Sequence, residues 1–445
     1  IRDVTAAATT TADEQQARVF YGWWIVAGAI VGYFVSVAAG AGSAGIFLRP
    51  IVDDLGWSVG SFTLAITGTN AVSGLAGFFI GPLVDKHGAR PLMFVGTGVL
   101  SGSLLLISRV QAPWQFFLLQ SVGVGIGISL VGGLVLNITM SKWFVLRRGW
   151  AIALGSTGIS FASILIPLTL TRVVDNFGWR DGYVVLAIGA AILSVPVALV
   201  MRRQPEDYGL MPDGRRSDGV GTSQADHDAI TLDRLNSYTR REAVRTRALW
   251  LLTLSFGCFG GGAFGVLIHG IPFVTEAGFT RSEAAFAASV AGMANLIAKF
   301  FWGYTLARFH VRTLWVGSFS GMIVGVGLML LARETGQLPL MLFGFFVWGL
   351  GFGGGVPLGE FIWAKYFGRV HIGAVRSIGM PIGIAFGAAG PLAVSTLFDA
   401  TGAYTWAWLM LASVYVAGAV AVIVSREPPP KVTSLADLPL AAAEA

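Results

Sequence analysis

Apolar residues run in stretches of about twenty, the length a helix needs to cross a bilayer core. The pattern predicts spans at residues 21–42, 58–82, 91–109, 112–138, 148–171 and 181–201. Six more follow at 248–271, 282–306, 312–332, 338–361, 373–397 and 403–425. Between the two sets lies 202–246, rich in Arg, Asp and Ser, which reads as a cytoplasmic linker with one surface helix. The expected organisation is a disordered N-terminus over 1–20, bundles of six helices at 21–201 and 247–426, and a disordered tail over 427–445. No short apolar segment with a cleavage site precedes the first span, so no signal peptide is expected, and starting at Ile1 instead of Met suggests trimming.

A shift of 222 residues superimposes one set on the other. Pro50, Gly56, Gly81 and Arg90 fall on Pro272, Gly278, Gly303 and Arg312, and Trp57 on Phe279. Lys142-Trp143-Phe144 meets Lys365-Tyr366-Phe367 one residue later, and Gly155, Gly158 and Pro167 are echoed by Gly379, Gly383, Gly387, Gly390 and Pro391. Six spans separate the copies, so both have the same orientation. Parallel halves of this kind place a site near the midplane between them.

Composition agrees: 54% of the residues are hydrophobic and 12% charged, too few charges to cover a water-facing surface. Sixty glycines lie inside the apolar runs, where they let helices approach closely. The net charge of +6 is topological and gives no reason to expect nucleic acid. With the N-terminus inside, 23 of the 30 Lys and Arg residues fall on inner segments and 6 outside, while Lys299 lies within a span. This bias places both termini in the cytoplasm. Cys258 has no partner for a disulfide or a cysteine metal site. The glycine runs at 123–127 and 351–355 lack the Lys-Ser/Thr ending of a phosphate loop. No cofactor, metal or enzymatic grouping is expected, and energy must come from ion or solute gradients.

After the second span, Gly81-Pro-Leu-Val-Asp85-Lys86-His87-Gly88-Ala89-Arg90 resembles the loop signature of the major facilitator superfamily. The implied fold is an all-α integral membrane protein of twelve helices in two pseudo-symmetric bundles. Gly81 permits a tight helix contact, and Asp85, Lys86, Gly88 and Arg90 can latch to a neighbouring helix end in one state of a rocking cycle. The second copy carries Ala307 where the aspartate would be. Tyr21-Gly22-Trp23-Trp24, Leu55-Gly56-Trp57-Ser58, Trp143-Phe144 with Arg147-Arg148-Gly149, Gly178-Trp179-Arg180, Pro205-Glu-Asp-Tyr-Gly209 and Pro212-Asp-Gly214 look like the bacterial monocarboxylate and oxalate/formate transporter families. That resemblance implies a small organic anion as substrate, moved with a proton or against another carboxylate, in a bacterial inner membrane.

A charge at the bilayer centre costs about 2.5–3.5 kcal/mol on insertion scales, so one retained there is a functional candidate. Lys299 is such a residue, and Asn295 stands one turn away on the same face. An ammonium beside an amide suits a carboxylate; the resembling families usually have Asn and Arg here, so Lys299 gives up the bidentate fork. A lysine reaching the nearby inner interface is the plain alternative. His269 precedes Gly270 and Pro272, where the seventh helix is expected to break, and is a second proton or carboxylate candidate. Glu360 either carries the coupled proton or pairs with Arg376. In the first half, Tyr33, Thr67, Asn70, Gln120, Asn137 and Ser156 are the polar candidates; Tyr33, Asn70 and Asn137 are assigned to substrate and Arg147, Arg148 and Arg376 to gating. The function expected is symport of a monocarboxylate with H+ by a monomer embedded in lipid. An oxalate/formate-like antiporter is the alternative, weakened because the eleventh span carries only Arg376, near its start. Drug efflux and a non-transporting carboxylate sensor rank below it.

Overall fold

The computed structural model describes residues 20–214 and 223–433. Every expected span is a helix: α1 Gly22–Leu55, α2 Gly60–His87, α3 Ala89–Ile107, α4 Pro113–Trp143, α5 Arg148–Phe177 and α6 Trp179–Val200 form the first half. The second comprises α7 Arg247–Glu276, α8 Ser282–Leu306, α9 Val311–Thr335, α10 Leu338–Phe367, α11 Ile372–Thr401 and α12 Tyr404–Val424. Among the described residues there is no strand.

The 222-residue repeat reaches individual turns. Gly56 and Gly278 both take positive φ, 65° and 93°, a conformation without penalty only for glycine. Two residues later Ser58 and Thr280 cap α2 and α8, accepting from the Ser61 and Glu283 N–H groups at 3.1 and 3.2 Å. Pro50 and Pro272 both lie inside continuous helix. The break expected at Gly270–Pro272 is therefore absent: α7 runs through it. A proline forfeits one N–H bond, and in a packed bundle the remaining turns carry the helix past it.

Within each half, helices meet where glycine removes a side chain. A methyl at Gly158 of α5 would lie 1.9 Å from the Ile30 carbonyl of α1, and one at Gly390 of α11 would lie 2.0 Å from the Gly261 carbonyl of α7. No L-residue with a side chain fits either place. These glycines are therefore helix–helix contacts.

The linker is more ordered than its composition suggests. Its helix Gln224–Leu235 starts at Ser223, whose hydroxyl accepts from the Asp226 N–H. Asp213 adopts φ 60° and turns its carboxylate onto three backbone N–H groups after α4, Val145, Leu146 and Arg147, at 2.9, 2.8 and 2.9 Å. Residues 427–433, part of the tail expected to be disordered, are laid on the linker instead. The Tyr238 hydroxyl donates to the Pro429 carbonyl. Asn236 and the Val432 backbone exchange two bonds at 2.9 and 3.1 Å, and Lys431 reaches Glu242 and the Ser237 carbonyl, both at 2.8 Å. Hydrogen bonds to backbone groups supply the order that apolar burial does not. Phe20 likewise packs on Trp143 and Phe144. The rest of the expected disordered ends, 1–19 and 434–445, and residues 215–222 of the linker lie outside the described residues.

Candidate functional site

The two halves meet along two seams near the end of the bundle that carries the linker. At the first, α2 lies on α11: methyls at Gly74, Gly77 and Gly81 would strike Ile384, Met380 and the Gly373 carbonyl. At the second, α5 lies on α8: Gly149 faces Leu306, and Gly303 faces Ala153 and Trp150. Gly303 is the repeat partner of Gly81, so the seams are pseudo-symmetric. Farther from the linker the halves part, leaving Thr67 and Asn70 of α2 exposed and no neighbour within 4 Å of a methyl at Gly292 of α8.

Lys299 stands where the second seam ends. Its side chain is 3% exposed, and Nζ donates to the Ser156 carbonyl at 3.0 Å and the Ser160 hydroxyl at 2.7 Å, both on α5. Two features of α5 create this contact. Gly155 and Gly158 press one face onto Met140 and Ile30, and the helix is interrupted at Ser156, whose carbonyl takes the Ile159 N–H in a tighter turn. Ser156 and Ser160, four residues apart, share the face toward α8. Among the described residues no carboxylate forms an ion pair with Lys299. A cation without a counter-ion in such a place is costly, and a carboxylate entering from the open end would meet its charge.

Asn295 is half-buried one turn farther toward the open end and makes no side-chain hydrogen bond among the described residues. A second polar cluster spans the halves. Arg376 of α11 grips Glu360 of α10 through two bonds, 3.0 and 3.2 Å, with its guanidinium over the rings of Phe256 and Trp363 at 4.6 and 5.3 Å. Across the seam, the Tyr33 hydroxyl and Asn137 Oδ1 are buried without a hydrogen-bond partner; the two side chains adjoin, in poor geometry for a bond, and Tyr33 lies within electrostatic reach of Glu360 and Arg376. Arg376 is thus a partner of Glu360 in the interior.

His269 is not brought to Lys299. It bonds within its own half to the Pro391 carbonyl at 3.2 Å, the Ser395 hydroxyl at 3.3 Å and the Tyr404 hydroxyl at 3.4 Å. Counted from the linker ends of their helices at ~1.5 Å per residue, His269 and Lys299 differ in depth by roughly 20 Å. Gln120 also belongs to packing within one half, its amide donating to the Thr69 hydroxyl at 3.4 Å.

The linker end is closed by charge. Asp85 accepts from Lys142 Nζ and from the Ala374 N–H at the start of α11, each at 2.8 Å, joining a carboxylate to a helix N-terminus of the other half. Arg369, between α10 and α11, is ion-paired to Glu206, donates to the Lys142 carbonyl at 3.2 Å and lies 3.4 Å from Asp233 of the linker helix. Arg148 reaches the same Asp233 at 3.1 Å. Of the basic residues assigned to gating, Arg148 is in this network, whereas Lys86, Arg90 and Arg147 are exposed and make no ion pair among the described residues. Sequence reasoning missed Ser160, although its spacing from Ser156 marks the shared face. It also missed Arg369, Glu206 and Asp233, which look like solvated loop charges until the linker folds back on them.

Twelve apolar helices in two like halves, meeting around a buried cation and a charged closure, define a membrane transporter. The Major Facilitator Superfamily sequence model matches residues 29–374 and 258–442, and the chain belongs to that superfamily. It is 22% identical to the oxalate:formate antiporter of Oxalobacter formigenes over 308 residues, 68% of this chain and 69% of that protein. It is 27% identical to monocarboxylate transporter 11 of Homo sapiens over 345 residues, 75% of this chain and 68% of that protein. Among solved structures, the proton:xylose symporter XylE superposes with a TM-score of 0.69 at 15% identity, covering 93% of this chain and 97% of that one, which establishes the shared fold.

Proposed function

We propose that the protein carries small monocarboxylates together with a proton by alternating access, with both termini in the cytoplasm of a bacterial inner membrane. The observation that carries this reading is Lys299, a buried ammonium held only by neutral oxygens at the foot of a cleft between the halves. Charge favours a monoanion. Arg376 is neutralised by Glu360, so the layer containing both cations bears a net charge of one, and a single carboxylate balances it. A dianion such as oxalate would need Arg376 free. The charge balance holds while Glu360 stays ionised on Arg376, so the coupled proton rides on another group, His269 being the other titratable candidate, and Tyr33 and Asn137 are the polar groups facing the Glu360–Arg376 pair. Asn295 orients the carboxylate from the open side, while Asn70 and His269 belong to the entry path. The relatives named for carboxylate transport support the substrate class.

The test is uptake of labelled lactate, pyruvate and oxalate into proteoliposomes, with an inward pH gradient or with internal counter-substrate, comparing the parent with Lys299→Ala. Lactate or pyruvate uptake driven by the gradient and lost in the variant supports the reading. Uptake that requires internal anion and ignores the gradient points to exchange, and uptake indifferent to Lys299 removes the proposed site.

A further inference from the structure

The Lys299 contact crosses from one half to the other. Its acceptors, the Ser156 carbonyl and the Ser160 hydroxyl, are on α5, and α5 must separate from α8 if the linker end is to open. We infer that Ser160 is a positioning residue that holds Lys299 in the substrate's absence, so that a bound carboxylate and the α5–α8 seam compete for one ammonium. This inference rests on Lys299 being the carboxylate site.

Opening the empty protein at this seam strips the ammonium of both acceptors while it is still flanked by apolar helix, which is unfavourable. A carboxylate on Lys299 supplies charge-assisted acceptors in their place. Binding then lowers the cost of parting the halves, and this differential stabilisation of one state is what coupling requires. Two local features fit this role. Ser160 is buried, and among the described residues its hydroxyl bonds only to Lys299. One turn toward the cleft, Ser163 shares the α5 face but is exposed and bonds only back to the Ile159 carbonyl of its own helix. The first is therefore an inter-half tie and the second provides a matched control. The opposite seam has no equivalent, because the position 222 residues before Lys299 is Gly77, which packs on Met380.

The experiment reads opening of the linker end without substrate. In a Cys258→Ser background, Leu306→Cys places a reporter against Gly149 inside the closed seam, and its maleimide labelling rate is measured in proteoliposomes for the parent, Ser160→Ala, Ser160→Thr and Ser163→Ala. Loss of one charge-assisted bond predicts about tenfold faster labelling in Ser160→Ala, restoration by Thr, and no change in Ser163→Ala. Substrate should speed labelling in the parent and add little in Ser160→Ala. Labelling in Ser160→Ala equal to the parent overturns the inference, and if Lys299→Ala still abolishes uptake the carboxylate reading survives that failure. Faster labelling in Ser160→Ala together with uptake that ignores Lys299 overturns it too, because the seam is then tied by a lysine that no substrate contests.

Discussion

Substituting Arg369 by Gln should open the linker end, by an amount the geometry bounds. In the closed arrangement this guanidinium is 4% exposed and meets the Glu206 carboxylate, the Lys142 carbonyl and Asp233, all from the first half or the linker. Once the halves part there, the same groups face water, where an ion pair contributes at most about 1 kcal/mol. The loss therefore falls on the closed state. Breaking a buried pair costs about 3–5 kcal/mol. Glu206 keeps 29% exposure and Asp233 keeps Arg148 at 3.1 Å, so a figure of about 2–3 kcal/mol is appropriate. At ~1.4 kcal/mol per decade this raises the open-to-closed ratio roughly 30- to 150-fold, readable as faster labelling of the Leu306→Cys reporter. Glu206→Gln should give part of the effect, and the double variant should cost less than the sum, as coupled partners do. A rise below threefold, or strict additivity, would refute the assignment of Arg369 to closure.

Two further outcomes follow from the linker. Asp213→Ala removes a carboxylate that accepts from the Val145, Leu146 and Arg147 N–H groups, and at ~1.5–3 kcal/mol per charged hydrogen bond it should lower the thermal midpoint in detergent clearly, with Asp213→Asn intermediate; an unchanged midpoint in both would show that the loop is held by other contacts. Glu242 is held down to about 2, chiefly by Lys431 and then by Thr239, against an ordinary 4.5. Because its folded value is depressed, the stabilisation is complete above the ordinary value and is lost as pH falls toward 2. Mobility of a spin label at Val432→Cys should increase over that interval, with the step absent in Lys431→Met, and a step that survives that substitution would assign it to another group.

Hydropathy made the spans legible, and the constant offset made the duplication legible, because both are carried by many residues at once. The offset aligned Gly56 with Gly278, while their matching positive φ and the caps at Ser58 and Thr280 came from the structure. Lys299 stood out for a related reason, since a charge in an apolar run needs explanation wherever the helix faces. Its partners did not stand out, because serine is common in membrane helices and only the interruption at Ser156 turns a backbone carbonyl toward α8. His269 shows the opposite error. The Gly270–Pro272 sequence suggested a broken helix and freed carbonyls, but packing carried α7 through the proline and left His269 bonded to α11 and α12. The tail misled through composition: Pro428 is buried while Pro429 and Pro430 stay exposed, and the Pro429 carbonyl accepts from Tyr238 while the Val432 backbone pairs with Asn236.

The duplicated halves also differ where it matters for an anion. On the α2–α11 seam the charge is Asp85, fixed to Lys142 and to the Ala374 N–H, and its repeat position in the other half is Ala307. On the α5–α8 seam the charge is Lys299, and its repeat position is Gly77. Each seam thus carries one charged group tied across the halves, a carboxylate on one and, on the other, an ammonium held by neutral oxygens, at different depths. Eight residues of α2 separate Gly77 from Asp85, about 12 Å of helix, so the acid lies on the linker side of the Gly74, Gly77 and Gly81 contacts, while the base lies level with Gly77 and on the open side of the Gly149 and Gly303 contacts of its own seam. An anion entering from the open end meets the lysine without passing the carboxylate, and it need displace only neutral oxygens to reach the charge. With the acid and base exchanged between the seams, the same backbone would present a carboxylate to the cleft, and on the proposed reading it would favour cations.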